Sequence, residues 1–489
     1  MKYLLGIDFG GGSSKAVLID DRGNICAEST AEYPTLYPSD GACEQSPDDW
    51  ISALRLNISR LFEEVGINPS DILCMAVDSA THTAVLCDKD YKPLRPAIHW
   101  TDSRSRKQAE YLRENYGDKI FNTAFHRPDT IWTLPQLMWL RQNEPEIFGR
   151  IRHIFFEKDY IRYKLTDVWC TDYIEAEGSM LFDYGSLQWS DFLCGIAGID
   201  KNVLPPVVSP ADIIGSITEK AAKETGLAAG TPVICGTTDT CMEIFASGAV
   251  NRGDTTVKLA TAGRICVITD KAYPDRNLVN YSHIQKGLWY PGTATKAAAS
   301  SYRWYRDTFG GSYKELDKGA ENIPIGCGGL IFHPYINGEL TPYADPALCG
   351  SFTGVRATHT KAHFTRAVLE GVCYSLLDSK TALDKIGIDY NKTATLIGGG
   401  AKGKLWRQMT ADVLGITLKT TESSDSSLGS AMLAGIAAGV FKDPPDAVLK
   451  CVREKETVIP VPENTEKYRK VFEEYKKIHD ALAPIYGSR

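Results

Sequence analysis

The sequence predicts an α/β protein made of two domains that share one plan. A strand–tight turn–strand unit stands near the start of each half, at residues 3–19 and again at 255–269. Short apolar runs of strand length alternate with longer segments of helical period. At 489 residues the chain is also longer than one hydrophobic core ordinarily serves, so it is expected to divide into residues 1–249 and 250–489.

In chain order, residues 3–9 form an apolar strand, Gly10 to Gly12 a turn, 15–19 a second strand and 20–24 another turn. Ser46-Pro47-Asp48-Asp49 starts a helix that runs to about Val65. Ser46 is the expected cap, Pro47 takes the first helical position, and the two acids meet the positive helix end. Residues 72–79 form a buried strand and 84–87 another, 134–142 are helical, and Ser190-Asp191 opens a short helix. Residues 231–235 are a strand, followed by the polar corner Gly236-Thr237-Thr238-Asp239 and a helix of small residues from Thr240. The second half repeats the opening: strand 255–259, turn 260–263, strand 265–269. A long helix over 360–384, a strand over 393–397, the Gly398-Gly399-Gly400 turn and a helix over 404–414 follow. The last helix, 465–482, sets Tyr468, Val471, Phe472, Tyr475 and Ile478 on one face, a packing stripe with no chemistry of its own.

Composition narrows the function. The net charge of -7 argues against a broad nucleic-acid surface, which needs excess Lys and Arg to replace counterions. The N-terminal apolar stretch is short and broken by Asp8, so neither a signal peptide nor a membrane span is expected. Thirteen cysteines without C-x-x-C spacing read as reduced thiols of a cytoplasmic protein. A small-molecule enzyme fits, without nucleic-acid or membrane partners; a homodimer is compatible with all of this.

Several motifs carry chemistry. In Gly10-Gly11-Gly12-Ser13-Ser14 the glycines let backbone amides approach an anion, and Ser13 adds a donor. Asp8 just before it is placed to hold Mg2+ through water. The segment lacks G-x-x-x-x-G-K-[ST] and leads into a strand, so a plain hairpin turn explains it equally well. Ala260-Thr261-Ala262-Gly263 is a poorer copy, and two such turns would grip a triphosphate. Gly398-Gly399-Gly400-Ala401-Lys402-Gly403-Lys404 lies between strand and helix, where a nucleotide can rest against the backbone. Asp239 can accept the proton of a hydroxyl nucleophile or simply cap its helix. His82 can hydrogen-bond a sugar, and Trp100 with Asp102 offers an aromatic face and an acid; a structural histidine and a local Asp102–Arg104 ion pair are the plainer alternatives.

Together these segments resemble the FGGY family of carbohydrate kinases, and within it the xylulose kinases most closely. The resemblance rests on Ile7-Asp8-Phe9-Gly10, on Glu44-Gln45-Ser46-Pro47 with Trp50, and on Trp100-Thr101-Asp102-Ser103-Arg104. Gly338-Glu339-Leu340-Thr341-Pro342, the Arg366 to Val372 stretch and the segment from Leu396 to Asp412 complete it, all in order along the chain. It implies two ribonuclease-H-like domains of the actin-like ATPase type flanking a central cleft. Residues 1–249 would bind the sugar and 250–489 the nucleotide. It further implies ATP and Mg2+, with Asp239 as catalytic base and Asp8 and Asp239 near the metal. Thr81, His82, Trp100, Asp102, Asp239 and Thr240 would face the sugar. Gly10, Gly11, Gly12, Ser13, Lys15, Thr261, Gly263, Trp304, Gly399, Gly400 and Lys404 would face the nucleotide.

This sequence departs from the family where Gly11 and Gly12 replace a Thr and a Ser, Ala260 and Ala262 stand in the second turn, and Leu340 replaces an Arg. In the two turns backbone donors survive, but hydroxyl donors to ATP are lost. Ala80-Thr81-His82-Thr83 stands between the family's xylulose-kinase and gluconate-kinase patterns. The implied reaction phosphorylates a primary hydroxyl, giving D-xylulose 5-phosphate from D-xylulose. Gluconate, another ketose or a polyol is the alternative substrate. A non-catalytic actin-like sensor of sugar or nucleotide is the alternative of another class.

Overall fold

The structure, a computed structural model, describes residues 1–487. It forms two compact units. The first gathers Met1–Val250, Tyr281–Gly287 and Ser423–Val452; the second gathers Asn251–Asn280, Leu288–Glu422 and the segment from Arg453. The units therefore do not follow a single cut between 249 and 250.

Each unit carries one six-stranded sheet of the same topology. In the first the order is Ile213–Ser216, Pro232–Ile234, Ile72–Ser79, Tyr3–Phe9, Ser13–Asp20, Ile25–Glu32. Its last three strands form an antiparallel meander, Ile72–Ser79 and Pro232–Ile234 join in parallel, and Ile213–Ser216 closes the edge antiparallel. In the second the order is Gly292–Ala294, Gly263–Val267, Thr255–Leu259, Thr393–Ile397, Thr417–Thr421, Glu454–Val458. Meander, two parallel strands and an antiparallel edge recur there. The ribonuclease-H-like duplication expected from the paired hairpins is present strand for strand.

The parallel strands are buried on both faces, hence continuous apolar runs rather than alternating ones. All seven residues of Tyr3–Phe9 are buried. The Pro47–Val65 helix covers one face through Trp50, Leu54, Ile58 and Leu61. Ser46 occupies its N-cap, but the expected cap bond from its hydroxyl is not formed, leaving Pro47 and the two acids to set the helix start. On the same unit, the Ser426–Ala437 helix packs against Tyr3–Phe9 and Ile72–Ser79. A Cβ built on Gly6 would lie 1.9 Å from the Ser427 carbonyl oxygen, and one on Gly429 would lie 2.2 Å from that of Met242. Both glycines exist for close backbone approach. This docking places Ser423–Val452 in the first unit although it follows most of the second in sequence. Among the described residues no helix is long and apolar enough to cross a membrane.

Candidate active site

Three carboxylates collect at the carboxyl ends of adjacent strands in the first unit, the edge where open α/β sheets bind ligands. Asp8 and Asp78 are register partners on the parallel strands Tyr3–Phe9 and Ile72–Ser79. Thr238 bridges to Ser79, which brings Asp239, the first residue of the Asp239–Ala246 helix, to the same edge. Asp8 is 8 % exposed and Asp78 fully buried. Burial, then the charges of Asp425 and Asp239, raise the pKa of Asp8. Burial, then the charge of Asp8, push Asp78 well above the usual carboxylate range. Asp78 Oδ2 accepts from the Ser430 hydroxyl at 2.5 Å. Asp8 Oδ1 and Asp78 Oδ1 have no hydrogen-bond partner among the described residues. Asp239 Oδ1 accepts the Thr240 amide at 2.6 Å.

The glycine hairpin is held by its carbonyls. Gln45 Nε2 and Thr35 Oγ1 donate to Gly11 O at 3.1 and 3.0 Å, the Tyr33 amide donates to Gly12 O at 3.1 Å, and the Tyr33 hydroxyl donates to Gly10 O. Gly10 spends its amide on Ser13 O within the turn, so it is not the phosphate donor expected of it. The amides of Gly11 and Gly12 donate to no backbone carbonyl among the described residues, and a Cβ on Gly12 would meet nothing within 4 Å. Ser13 pairs with Glu32, the last residue of the Ile25–Glu32 strand. Lys15, expected on the nucleotide, is held by Asp425 Oδ2 at 2.5 Å. Gln45, anchored by Trp50 Nε1 at 3.1 Å, is a support that the Glu44-Gln45-Ser46-Pro47 motif signalled only as resemblance.

Thr81 and His82 sit on the corner after Ile72–Ser79. His82 adopts φ 59°. Its amide donates to Glu175 Oε1 at 2.6 Å, its carbonyl accepts from Thr133 Oγ1 at 3.0 Å, and its ring lies 4.8 Å from that of Trp132. Gly178 packs on the pair: a Cβ there would lie 2.6 Å from His82 Nδ1 and 2.7 Å from Thr81 Cγ2. Trp100 is 39 % exposed beside buried His99, whose pKa burial drives down to about 4. Asp102 departs from expectation. It is 1 % exposed and accepts from the Cys43 amide at 2.7 Å, the Arg104 amide at 2.9 Å and Arg104 Nε at 2.9 Å. One oxygen is held by Arg104 alone and the other by Arg104 and the distant Cys43 amide, so Asp102 ties residues 102–104 to the Cys43 segment.

Two buried acids of this region escaped the sequence reading. Glu157 opens the Glu157–Thr166 helix, whose Lys158 amide donates to Ser79 Oγ at 3.0 Å. Burial, then the charges of Asp8, Glu175 and Asp239, raise its pKa well above normal. Glu175 is likewise raised, chiefly by burial. The only sequence signal was an acid directly after the apolar run Ile154-Phe155-Phe156.

The nucleotide candidates lie in the second unit. Thr261 O accepts from the Ala298 amide at 2.9 Å and the Ser300 hydroxyl at 2.7 Å, and the Ala260 amide donates to Ala262 O at 3.2 Å within the turn, while the amides of Thr261 and Ala262 donate to no backbone carbonyl among the described residues. Gly263 is corrected: its amide is taken by Thr295 Oγ1 at 2.9 Å, and its missing side chain makes room for Leu376. Gly399 faces open space, whereas a Cβ on Gly400 would lie 2.9 Å from Leu259 Cβ and 3.0 Å from Trp406, so Gly400 serves packing. Lys404 is exposed at the start of Lys404–Leu414. Trp304, 37 % exposed on Ala299–Phe309, stacks on Phe332 at 6.3 Å and 10°.

Comparison with known proteins agrees with this architecture. The family model "FGGY family of carbohydrate kinases, N-terminal domain" matches residues 3–246, and the C-terminal domain model of that family matches 250–438. A xylulose kinase of Bacillus subtilis (strain 168) is 33 % identical over 484 residues, covering 98 % of this chain and 97 % of the relative. A gluconokinase of Bacillus licheniformis is 29 % identical over 499 residues, covering 99 % and 97 %. The ligand-bound xylulose kinase structure from Lactobacillus acidophilus superposes with TM-score 0.94 at 25 % identity, covering 100 % of both chains.

Proposed function

The chain belongs to the FGGY family of carbohydrate kinases, and from that premise we propose that it transfers the γ-phosphoryl group of ATP to the C5 hydroxyl of D-xylulose. The observation that carries the reading is Asp239: a carboxylate on the strand edge beside Asp8, with one oxygen fixed by the Thr240 amide. Asp239 orients the hydroxyl and takes its proton. The oxygen forms its new bond to the γ-phosphorus as the bond to the β-phosphate oxygen breaks, and ADP leaves with that electron pair. The Gly11 and Gly12 amides offer donors to phosphate oxygens, and Thr81 and His82 hold the sugar. In the second unit, Thr261, Gly399, Lys404 and Trp304 take the nucleotide.

The residues present fit Mg2+. Among the described residues no group of three His, Cys, Asp or Glu side chains could hold a metal alone. Mg2+ retains waters and phosphate oxygens and needs only one or two carboxylates, which Asp8, its Oδ1 without a hydrogen-bond partner among the described residues, and Asp239 would provide. When bound, it would offset negative charge on the transferring phosphates. The thirteen cysteines, none of them in a disulfide among the described residues, support a cytoplasmic setting.

Gluconate is the second reading, favoured by the gluconokinase relative. ADP release measured across D-xylulose, L-xylulose, ribulose, gluconate and glycerol separates the two. Asp239→Asn should lose about 10²–10⁴-fold in kcat on the true substrate; near-normal turnover would remove Asp239 from the chemistry.

A further inference from the structure

Resting on the kinase reading above, we infer that Glu157 is a substrate-binding residue: its carboxyl takes a hydroxyl of an uncharged sugar or polyol and turns sugar acids away. Its side chain is 0 % exposed, and neither Oε1 nor Oε2 has a hydrogen-bond partner among the described residues. A fold gains nothing from such a group, since each unmet buried polar atom destabilises. The contrast within one helix turn is informative. Neighbouring Asp159 is equally buried, yet Lys158 Nζ lies 2.5 Å and Arg162 Nη1 3.0 Å from its Oδ1. Lys158 also reaches Asp172 at 2.9 Å. The cations beside Glu157 are thus spent on other acids, and Glu157 is left bare.

Its surroundings locate it at the transfer site. The amide of the next residue, Lys158, donates to Ser79 Oγ at 3.0 Å, and Ser79, which ends the Ile72–Ser79 strand, bridges to Thr238, the N-cap of the Asp239–Ala246 helix; burial, then the charges of Asp8, Glu175 and Asp239, raise the Glu157 carboxyl. Its charge in turn bears on Tyr33, whose hydroxyl holds Gly10 O. Glu157 therefore opens its helix at the strand edge that carries Asp78 and Asp239. Glu175 Oε2 is a second buried oxygen without a partner there. A sugar hydroxyl both donates and accepts, and so satisfies such oxygens, whereas a buried substrate carboxylate needs a cation, and the neighbouring Lys158 and Arg162 are committed to other acids.

Calorimetric binding of D-xylulose, glycerol and D-gluconate to wild type, Glu157→Gln and Glu157→Leu tests this, alongside ADP-release kinetics and thermal melts. Wild type should bind an uncharged ligand and discriminate against D-gluconate. Glu157→Leu should weaken that binding roughly tenfold or more, Glu157→Gln less, and the KM for ATP should stay within about twofold. The melting temperature of Glu157→Leu should hold or rise, because an unmet buried polar group has gone; a purely structural Glu157 would lower it and leave sugar affinity unchanged. Wild-type sugar affinity in Glu157→Leu, gluconate bound as tightly as D-xylulose, or no uncharged sugar bound by wild type overturns the inference. Sugar binding with the expected variant pattern but no ADP release would sink the kinase reading and leave Glu157 as a sugar contact.

Discussion

Gly6→Ala is the sharpest structural test of the site's foundation. The added Cβ would stand 1.9 Å from Ser427 O and 2.4 Å from Ala431 N, both backbone atoms of the Ser426–Ala437 helix. The first contact is about 1.5 Å inside a normal separation, so helix and strand must part. Parting by that much takes Ser430 Oγ beyond reach of Asp78 Oδ2, a bond now 2.5 Å long. The cost combines overpacking strain of about 1–3 kcal/mol with roughly 1–3 kcal/mol for a buried carboxyl oxygen left bare. A loss of about 2–6 kcal/mol is expected for the first unit. Urea unfolding followed by circular dichroism reads it, with Ser430→Ala and the double variant completing a cycle. The double variant should be less destabilised than the two single costs added, since Gly6→Ala already breaks the Ser430 contact. A stability within about 0.5 kcal/mol of wild type, or strict additivity, would refute the reasoning.

Gly178→Ala drives a methyl into His82 and Thr81, so the KM for sugar should rise about tenfold or more while the KM for ATP holds; steady-state kinetics with each substrate varied checks this. The raised carboxyls set a pH dependence. Asp8, Asp78 and Glu157 bind protons more tightly folded than unfolded. Stability is therefore greatest in acid and falls as pH climbs from the unfolded carboxylate value, about 4, toward the folded ones. Asp78→Asn, isosteric and neutral, should flatten the fall in urea midpoint measured from pH 5 to 8.

Much of the fold was legible because its strands are uninterrupted apolar runs closed by turn residues. Tyr3–Phe9, Ile72–Ser79, Ala84–Cys87, Thr255–Leu259 and Thr393–Ile397 begin and end where their sequences said, as do the Pro47–Val65 and Lys404–Leu414 helices. Ser426–Ala437 was missed. Its first ten residues, Ser426 through Gly435, are buried on every side, so no period marks a face, and its partner strand lies some four hundred residues earlier. The site was harder for a related reason. A glycine beside open space and one that admits a neighbour look alike in one dimension, and Gly12 and Gly263 are one of each. Asp102 and Glu157 show the same ambiguity for acids: one is satisfied by Arg104 and the Cys43 amide, and the other has no partner for either oxygen among the described residues, a difference visible only in the folded chain. The motifs that carried the resemblance are often supports, as where Arg366 pairs with Glu370 at 2.8 Å inside the long helix Lys361–Ile386.

The placement of Ser423–Val452 in the first unit has a consequence for biosynthesis. The Tyr3–Phe9 strand is synthesised some four hundred residues before the Ser426–Ala437 helix that covers it. Until then the amino-terminal lobe is a nascent intermediate with an uncovered apolar face, a natural client for holding chaperones. A fragment ended at the conserved-domain border near residue 250 would keep that face open permanently.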